Sequence, residues 1–180
     1  MTHRITHVVM LGLMGVGKTT IGCALAQALR WPISDSDQAI EERCGATVRE
    51  LKDRLGTDGM HALEAEHLLR ALDGDQSSVV SAAASVVDVP DCRRALEAET
   101  AYGVWLQGRA ETLAERFAGG AHRPVFGADT EAVFRHQLGD RSRWFAEVSR
   151  HRVSVDGRTP EEIVADILDA LQKAGVTPPE

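Results

Sequence analysis

The stretch GLMGVGKT, Gly12 to Thr19, constrains this chain more than any other. It satisfies G-x-x-x-x-G-K-[ST] and stands directly after the apolar run VVML and directly before the apolar pattern IGCALAQAL, so a strand, a glycine turn and a helix are predicted in that order. The glycines let the backbone curl so that successive N–H groups face the phosphates of a nucleotide, and the helix that follows adds the positive end of its dipole. On this reading Gly12, Gly15, Val16 and Gly17 form the cradle, with Thr20 beside it. Lys18 reaches the β- and γ-phosphates, and the Thr19 hydroxyl binds Mg²⁺. A glycine-rich turn could match the pattern by chance, but the flanking strand and helix argue against that. The cradle implies nucleotide binding and leaves its use open, because motors, GTPases and transporters share it.

Short β-branched runs alternate with longer helical patterns along the rest of the chain: HVVML near residue 9, PIS near 33, SSVVS near 79, GVWLQ near 105 and HRVSV near 153. That alternation predicts an α/β fold, a three-layer α/β/α sandwich on a five-stranded parallel sheet. Capping boxes at Thr47–Glu50 and Thr159–Glu162, the second with Pro160 at the first helical position, mark two helix starts. The stretch AGGAHRPVFGADT, residues 118–130, has paired glycines, a proline and a third glycine, and is expected to be a mobile lid. With 180 residues and 43% hydrophobic content, one domain over 1–174 is expected, followed by a frayed tail at 175–180.

A net charge of −7 argues against a protein built to grip nucleic acid or an anionic membrane, and 4% aromatic content leaves few stacking platforms for bases. Cys23, Cys44 and Cys92 are odd in number and lack a C-x-x-C pair, which supports neither a zinc site nor a disulfide framework. No apolar run approaches the roughly 20 residues that span a bilayer, and the opening MTHRITHVVML is too short in apolar residues for a secretory signal. A cytoplasmic monomer is expected.

The second strand runs into SDSD, which puts Asp35 and Asp37 at the carboxyl end of a parallel strand, where open α/β sheets bind ligands. Asp35 would hold Mg²⁺ through water, and Asp37 would orient or deprotonate an acceptor hydroxyl. The competing reading is that Asp37 only caps the helix QAIEERC.

Taken in order, GLMGVGKTTIG, WPISDSD, AIEERCGATVRELKDRLGTDGMHALEAE, HRPVF, DRSRWFAEVS and VSVDGRTPEEIVADIL resemble the shikimate kinases, small enzymes that move the γ-phosphate of ATP to a hydroxyl of shikimate. The resemblance covers nearly the whole chain. It implies ATP and Mg²⁺ as cofactors and a small hydroxylated acceptor. It also implies that Asp35 and Asp37 take the metal and hydroxyl roles, and that Arg123 in HRPVF is the lid arginine that stabilises charge in transfer. Arg116 and Arg158 fall where the family frames adenine, and Arg141 where an arginine binds the substrate carboxylate, with Arg143 its rival if the register slips by two.

Two departures lie on the acceptor side. Where the family has an aromatic residue and a second carboxylate-binding arginine, this chain has Met60 and His61, with Glu64 following. A histidine in water is mostly neutral at pH 7 and lacks the planar, permanently charged fork. Where the family has three consecutive glycines after its third strand, this chain has Ala83, Ala84 and Ser85. If the backbone path is kept, three added Cβ atoms should leave a smaller or strained pocket. The nucleotide side is intact and the acceptor side altered, which points to a kinase of a small hydroxylated metabolite with a divergent acceptor site. A genuine shikimate kinase, a gluconate-kinase-like enzyme and a non-catalytic ATP-binding paralogue are the alternatives.

Overall fold

The computed structural model describes residues 5–118 and 129–176. In chain order the elements are β1 (His7–Leu11), α1 (Lys18–Leu29), β2 (Ile33–Asp35), α2 (Ser36–Cys44), α3 (Val48–Leu72), β3 (Ser78–Ser81), a 3-10 helix (Ala84–Asp88), α4 (Pro90–Leu96), β4 (Ala101–Gln107), α5 (Ala110–Ala118), α6 (Thr130–Val148), β5 (His151–Ser154) and α7 (Pro160–Lys173). The five strands form one parallel sheet in the order β2-β3-β1-β4-β5. All five expected strands are present at their expected places.

The sheet follows from its sequence. A parallel strand covered on both faces has no solvent side, so β1 reads as a continuous apolar run rather than an alternating one. Val8, Val9 and Met10 are fully buried between β3 and β4. His7 is the polar exception at 2% exposure. Its Nε2 lies 2.9 Å from the Gly74 carbonyl, which can only accept, so Nε2 carries the proton and Nδ1 accepts from the Ser78 hydroxyl at 3.0 Å. In β4, a Cβ on Gly103 would collide with the Val148 carbonyl oxygen, so the end of α6 can approach that strand only because position 103 has no side chain.

Both predicted capping boxes form. Thr47 and Glu50 close the start of α3, and Thr159 and Glu162 close that of α7, with Pro160 at the first helical position. α3 bends at Gly56, whose φ of 69° and ψ of −175° break the helical path. A small second core of Ile40, Leu51 and Met60, backed by Ala46, Val48 and Leu63, glues α2 to α3 apart from the main core around the sheet.

At the other end, Gly175 takes a φ of 85°, the Val176 amide bonds the Leu171 carbonyl at 2.9 Å, and Gly175 bonds Gln172 at 3.0 Å. This Schellman closure tucks Val176 into the core at 6% exposure, so the ordered chain continues past the expected boundary at 174. No helix among the described residues is long and apolar enough to cross a membrane. Cys23, Cys44 and Cys92 are free thiols.

Candidate active site

The phosphate loop is fixed from below. Gly12, Gly15 and Gly17 have φ of 136°, 83° and 101°, values that side chains resist. A Cβ on Gly12 would sit 2.6 Å from the Leu106 carbonyl oxygen, so the loop packs on β4 as closely as a bare backbone allows. Val16 is buried at 1% exposure and pins the loop to the core, while its amide donates to the Leu13 carbonyl at 3.4 Å and closes a turn of the loop. Gly17 precedes α1 without any side-chain cap, the condition under which a helix N-terminus takes an anion. Lys18 folds back over the loop, and its Nζ donates to the carbonyls of Gly12 at 2.9 Å and Leu13 at 3.0 Å. Thr19 and Thr20 are exposed on the first turn.

Asp35 joins this loop to the second strand. It is the last residue of β2 and the N-cap of α2: Oδ1 accepts from the amides of Asp37 at 3.1 Å and Gln38 at 3.4 Å, and Oδ2 accepts from the Thr19 hydroxyl at 2.8 Å. The reading of Asp37 as helix cap is therefore corrected. Of SDSD only Asp35 ends the strand; Asp37 stands in the first turn of α2, with its carboxylate released from capping.

Asp37 is open to solvent, yet the cleft walls hold its carboxyl above the ordinary carboxylate range. Crowding by protein is the main cause, followed by the charges of Asp35 and Glu64, while Lys18 opposes the shift and Glu41 adds to it. Such a group takes a proton more readily than a surface aspartate, as a base for an alcohol should.

The stretch after β3 departs from its expectation. Ala83 has φ −63° and ψ 151°, and Ala84–Asp88 turns into a 3-10 helix in which no residue has positive φ. The predicted strain is absent, because the chain has taken a path that alanine tolerates. Ser85 does not line open acceptor space: it is 4% exposed, and its hydroxyl donates to Glu64 Oε2 in a short hydrogen bond. Ala83 and Ala84 remain partly exposed. Glu64, on α3, thus links the altered stretch to Asp37. Its place four residues after the buried Met60 was visible in the sequence, but its partner 21 residues away was not.

His61 is half-exposed on α3. Arg141, on α6, is largely covered, its side chain only 16% exposed. Its Nε lies 3.1 and 2.9 Å from the two carboxylate oxygens of Asp88, and its Nη2 lies 2.6 Å from Oδ2. Arg143 instead faces outward and stacks on Trp144, 4.2 Å from the ring centroid. Of the two, Arg141 is the one that reaches the 3-10 helix.

On the nucleotide side, Arg116 spans from the loop to the sheet, reaching the carbonyls of Val16 at 3.4 Å and Val155 at 3.3 Å. Arg158 lies three residues beyond Val155 and is tied to Asp166 at 2.8 Å and the Glu162 carbonyl at 3.0 Å. That bond, with a second from His151, holds the Asp166 carboxyl below its usual range. Arg123 and the rest of HRPVF lie outside the described residues. Among the described residues no group of three His, Cys, Asp or Glu side chains is poised to hold a metal. Thr19 and Asp35 do offer adjacent oxygens, a donor set that fits a hard cation keeping most of its waters and binding substrate phosphate.

Comparison with known proteins agrees with this layout. A family model described as shikimate kinase matches residues 14–172. The chain is 34% identical over 172 residues to a shikimate kinase of Symbiobacterium thermophilum, covering 94% of this chain and 98% of that one. It is 36% identical over 166 residues to a shikimate kinase of Corynebacterium efficiens, covering 92% and 96%. Among solved structures it resembles the shikimate kinase from Acinetobacter baumannii in complex with shikimate, with a TM-score of 0.88 at 23% identity over 96% of each chain. It also resembles a gluconokinase from Sinorhizobium meliloti, with a TM-score of 0.64 at 22% identity over 96% and 95%. At such identities the structural likeness speaks for the fold alone.

Proposed function

The chain belongs to the shikimate kinase family, phosphotransferases that use ATP and act on a hydroxyl group, and from that premise we propose how its own residues perform the transfer. The carrying observation is the convergence of Lys18, Asp35, Asp37 and Glu64 at the carboxyl end of the sheet, beside the uncapped start of α1.

The phosphates of ATP lie along Gly12–Thr19, with Gly15, Val16, Gly17 and Thr20 contributing backbone and hydroxyl contacts. Lys18 exchanges its carbonyl partners for the β- and γ-phosphates. Arg116 and Arg158 border the adenine. Thr19 and Asp35 would hold Mg²⁺, which when bound neutralises developing charge on the phosphates. Asp37 orients the acceptor hydroxyl and receives its proton as the oxygen bonds the γ-phosphorus and the bond from that phosphorus to the β,γ-bridging oxygen breaks, ADP leaving with the electron pair. Arg123 is proposed as the partner of the transferring phosphoryl group on its HRPVF context alone.

The acceptor is a small hydroxylated metabolite bordered by Asp37, His61, Ala83 and Ala84. The names of the relatives at 34% and 36% identity make shikimate the first compound to try. The side chains carried at Ala83–Ser85, with Ser85 committed to Glu64, and the pairing of Arg141 favour the second reading, a different acceptor. ADP release measured over shikimate, quinate, gluconate and related polyols tests both. Acceptor-stimulated release is expected; binding of ATP with no stimulation by any acceptor would leave only the non-catalytic reading.

A further inference from the structure

We propose that Asp88 is a built-in counter-ion that sets acceptor specificity: by taking the carboxylate-binding fork of Arg141 it makes this site one for uncharged hydroxylated acceptors rather than carboxylated ones. The inference rests on the kinase reading above and deepens it.

The Arg141–Asp88 pair has the geometry of a guanidinium receiving a small-molecule carboxylate, with two nitrogens on the two oxygens at 2.6 to 3.1 Å. Here the carboxylate belongs to the chain itself, three residues beyond Ser85 on the same 3-10 helix. Asp88 is thus delivered by a turn that runs from Ala83 without any positive φ. An incoming carboxylate would have to displace a partner tethered in place, and would leave Asp88 charged beside it.

The surrounding charges give no relief. Asp35 and Glu64 act on Asp37 as like charges beside the phosphate loop, Lys18 is set against them there, and Ser85 joins Glu64 to the 3-10 helix that carries Asp88. The cations next to the 3-10 helix are committed as well: Arg93 donates to the Val87 carbonyl at 2.6 Å and lies over one side of Trp144, on which Arg143 also stacks. At the position where the family resemblance implies a second permanent cation, this chain has the half-exposed His61. Among the described residues the acceptor cleft is therefore negative, which repels a carboxylate and tolerates a neutral polyol.

Matched acceptor pairs test this. Shikimate, quinate and gluconate are each compared with the alcohol in which the carboxylate is reduced to a hydroxymethyl group, reading kcat/KM from ADP release with ATP and Mg²⁺. The wild-type protein is expected to favour the neutral member of at least one pair by about tenfold or more. Asp88→Asn, which unties Arg141 and removes one negative charge, is expected to raise kcat/KM for the carboxylated member about tenfold and so narrow or invert that ratio.

Preference of the wild-type protein for the carboxylated member of every pair it uses would overturn the proposal while leaving the kinase reading intact. So would a ratio unmoved in a folded Asp88→Asn protein. If no member of any pair stimulates ADP release although ADP with Mg²⁺ raises the melting temperature, the kinase reading fails and this inference falls with it. The wild-type comparison needs no variant, so it decides the matter even if Asp88→Asn does not fold.

Discussion

The Thr19 hydroxyl donates to Asp35 Oδ2 at 2.8 Å, which ties the first turn of α1 to the end of β2. The helix that follows the phosphate loop and the end of the neighbouring strand are thus held in register by one hydrogen bond. Asp35 also caps α2 with its other oxygen, so one carboxylate holds three segments together.

Thr19→Val removes this donor and the hydroxyl proposed for Mg²⁺ while keeping the shape of the side chain. Turnover should fall on the order of a hundredfold, and Thr19→Ser should restore most of it. Asp35→Ala should in addition destabilise the fold by about 1 kcal/mol through loss of the α2 cap. Initial rates across a Mg²⁺ titration and urea midpoints check both; a Thr19→Val enzyme close to wild-type rate would remove Thr19 from the metal site.

Asp37→Asn separates function from stability. The native carboxyl lies above its unfolded value, so the folded chain binds that proton more readily and gains stability as pH falls through the native value. At neutral pH the charged form is therefore a liability. The amide should raise the melting temperature slightly, since the group is solvent-exposed, while turnover drops to background. The acid limb of the wild-type rate profile should lie above the usual aspartate value of about 3.9.

His67 predicts an acid sensitivity of the fold itself. It is 7% exposed, its Nε2 lies 2.8 Å from the Ser34 hydroxyl, and its Nδ1 has no protein partner. Burial pushes its pKa down, the nearby Arg43 acts in the same direction, and Asp35 opposes both. The unfolded chain then binds the proton better, so stability is fully present above the unfolded value of about 6.5 and is lost as pH falls toward the native one. Urea midpoints should decline over that window in the wild-type protein, and His67→Gln should flatten the decline. An unchanged slope would assign the sensitivity to another group.

Two glycine substitutions should part company. Gly103→Ala collides with the Val148 carbonyl in the middle of the sheet and should cost roughly 1–3 kcal/mol without altering nucleotide affinity of the protein that remains folded. Gly12→Ala meets the Leu106 carbonyl and also forces a side chain to φ 136°, so it should weaken stability and nucleotide binding together. Calorimetric titration with ADP beside thermal denaturation distinguishes the two.

What the sequence revealed was mostly local. GLMGVGKT and both capping boxes are read within a turn or two of chain, and the inner strands β1, β3 and β4 are short apolar runs whose burial on both faces removes any need for alternation, while the edge strands β2 and β5 keep polar, partly exposed positions. The choice of cap between Asp35 and Asp37 was not local: both can cap α2, and a hydroxyl from another element, Thr19, helps hold Asp35 there. Ser85 with Glu64 and Arg141 with Asp88 are joined across 21 and 53 residues, distances at which no spacing rule operates. The strain expected at Ala83 to Ser85 is not found, because this stretch follows a 3-10 path that alanine tolerates and no residue in it is held at positive φ.

The small core of Ile40, Leu51 and Met60 has a further consequence. Because Ile40, Leu51 and Met60 staple α2 to the first part of α3 by their own apolar contacts, substitutions on that part of α3 need not disturb the main core beneath the phosphate loop. A lineage could drift from one alcohol to another in small, individually viable steps, keeping the same engine throughout.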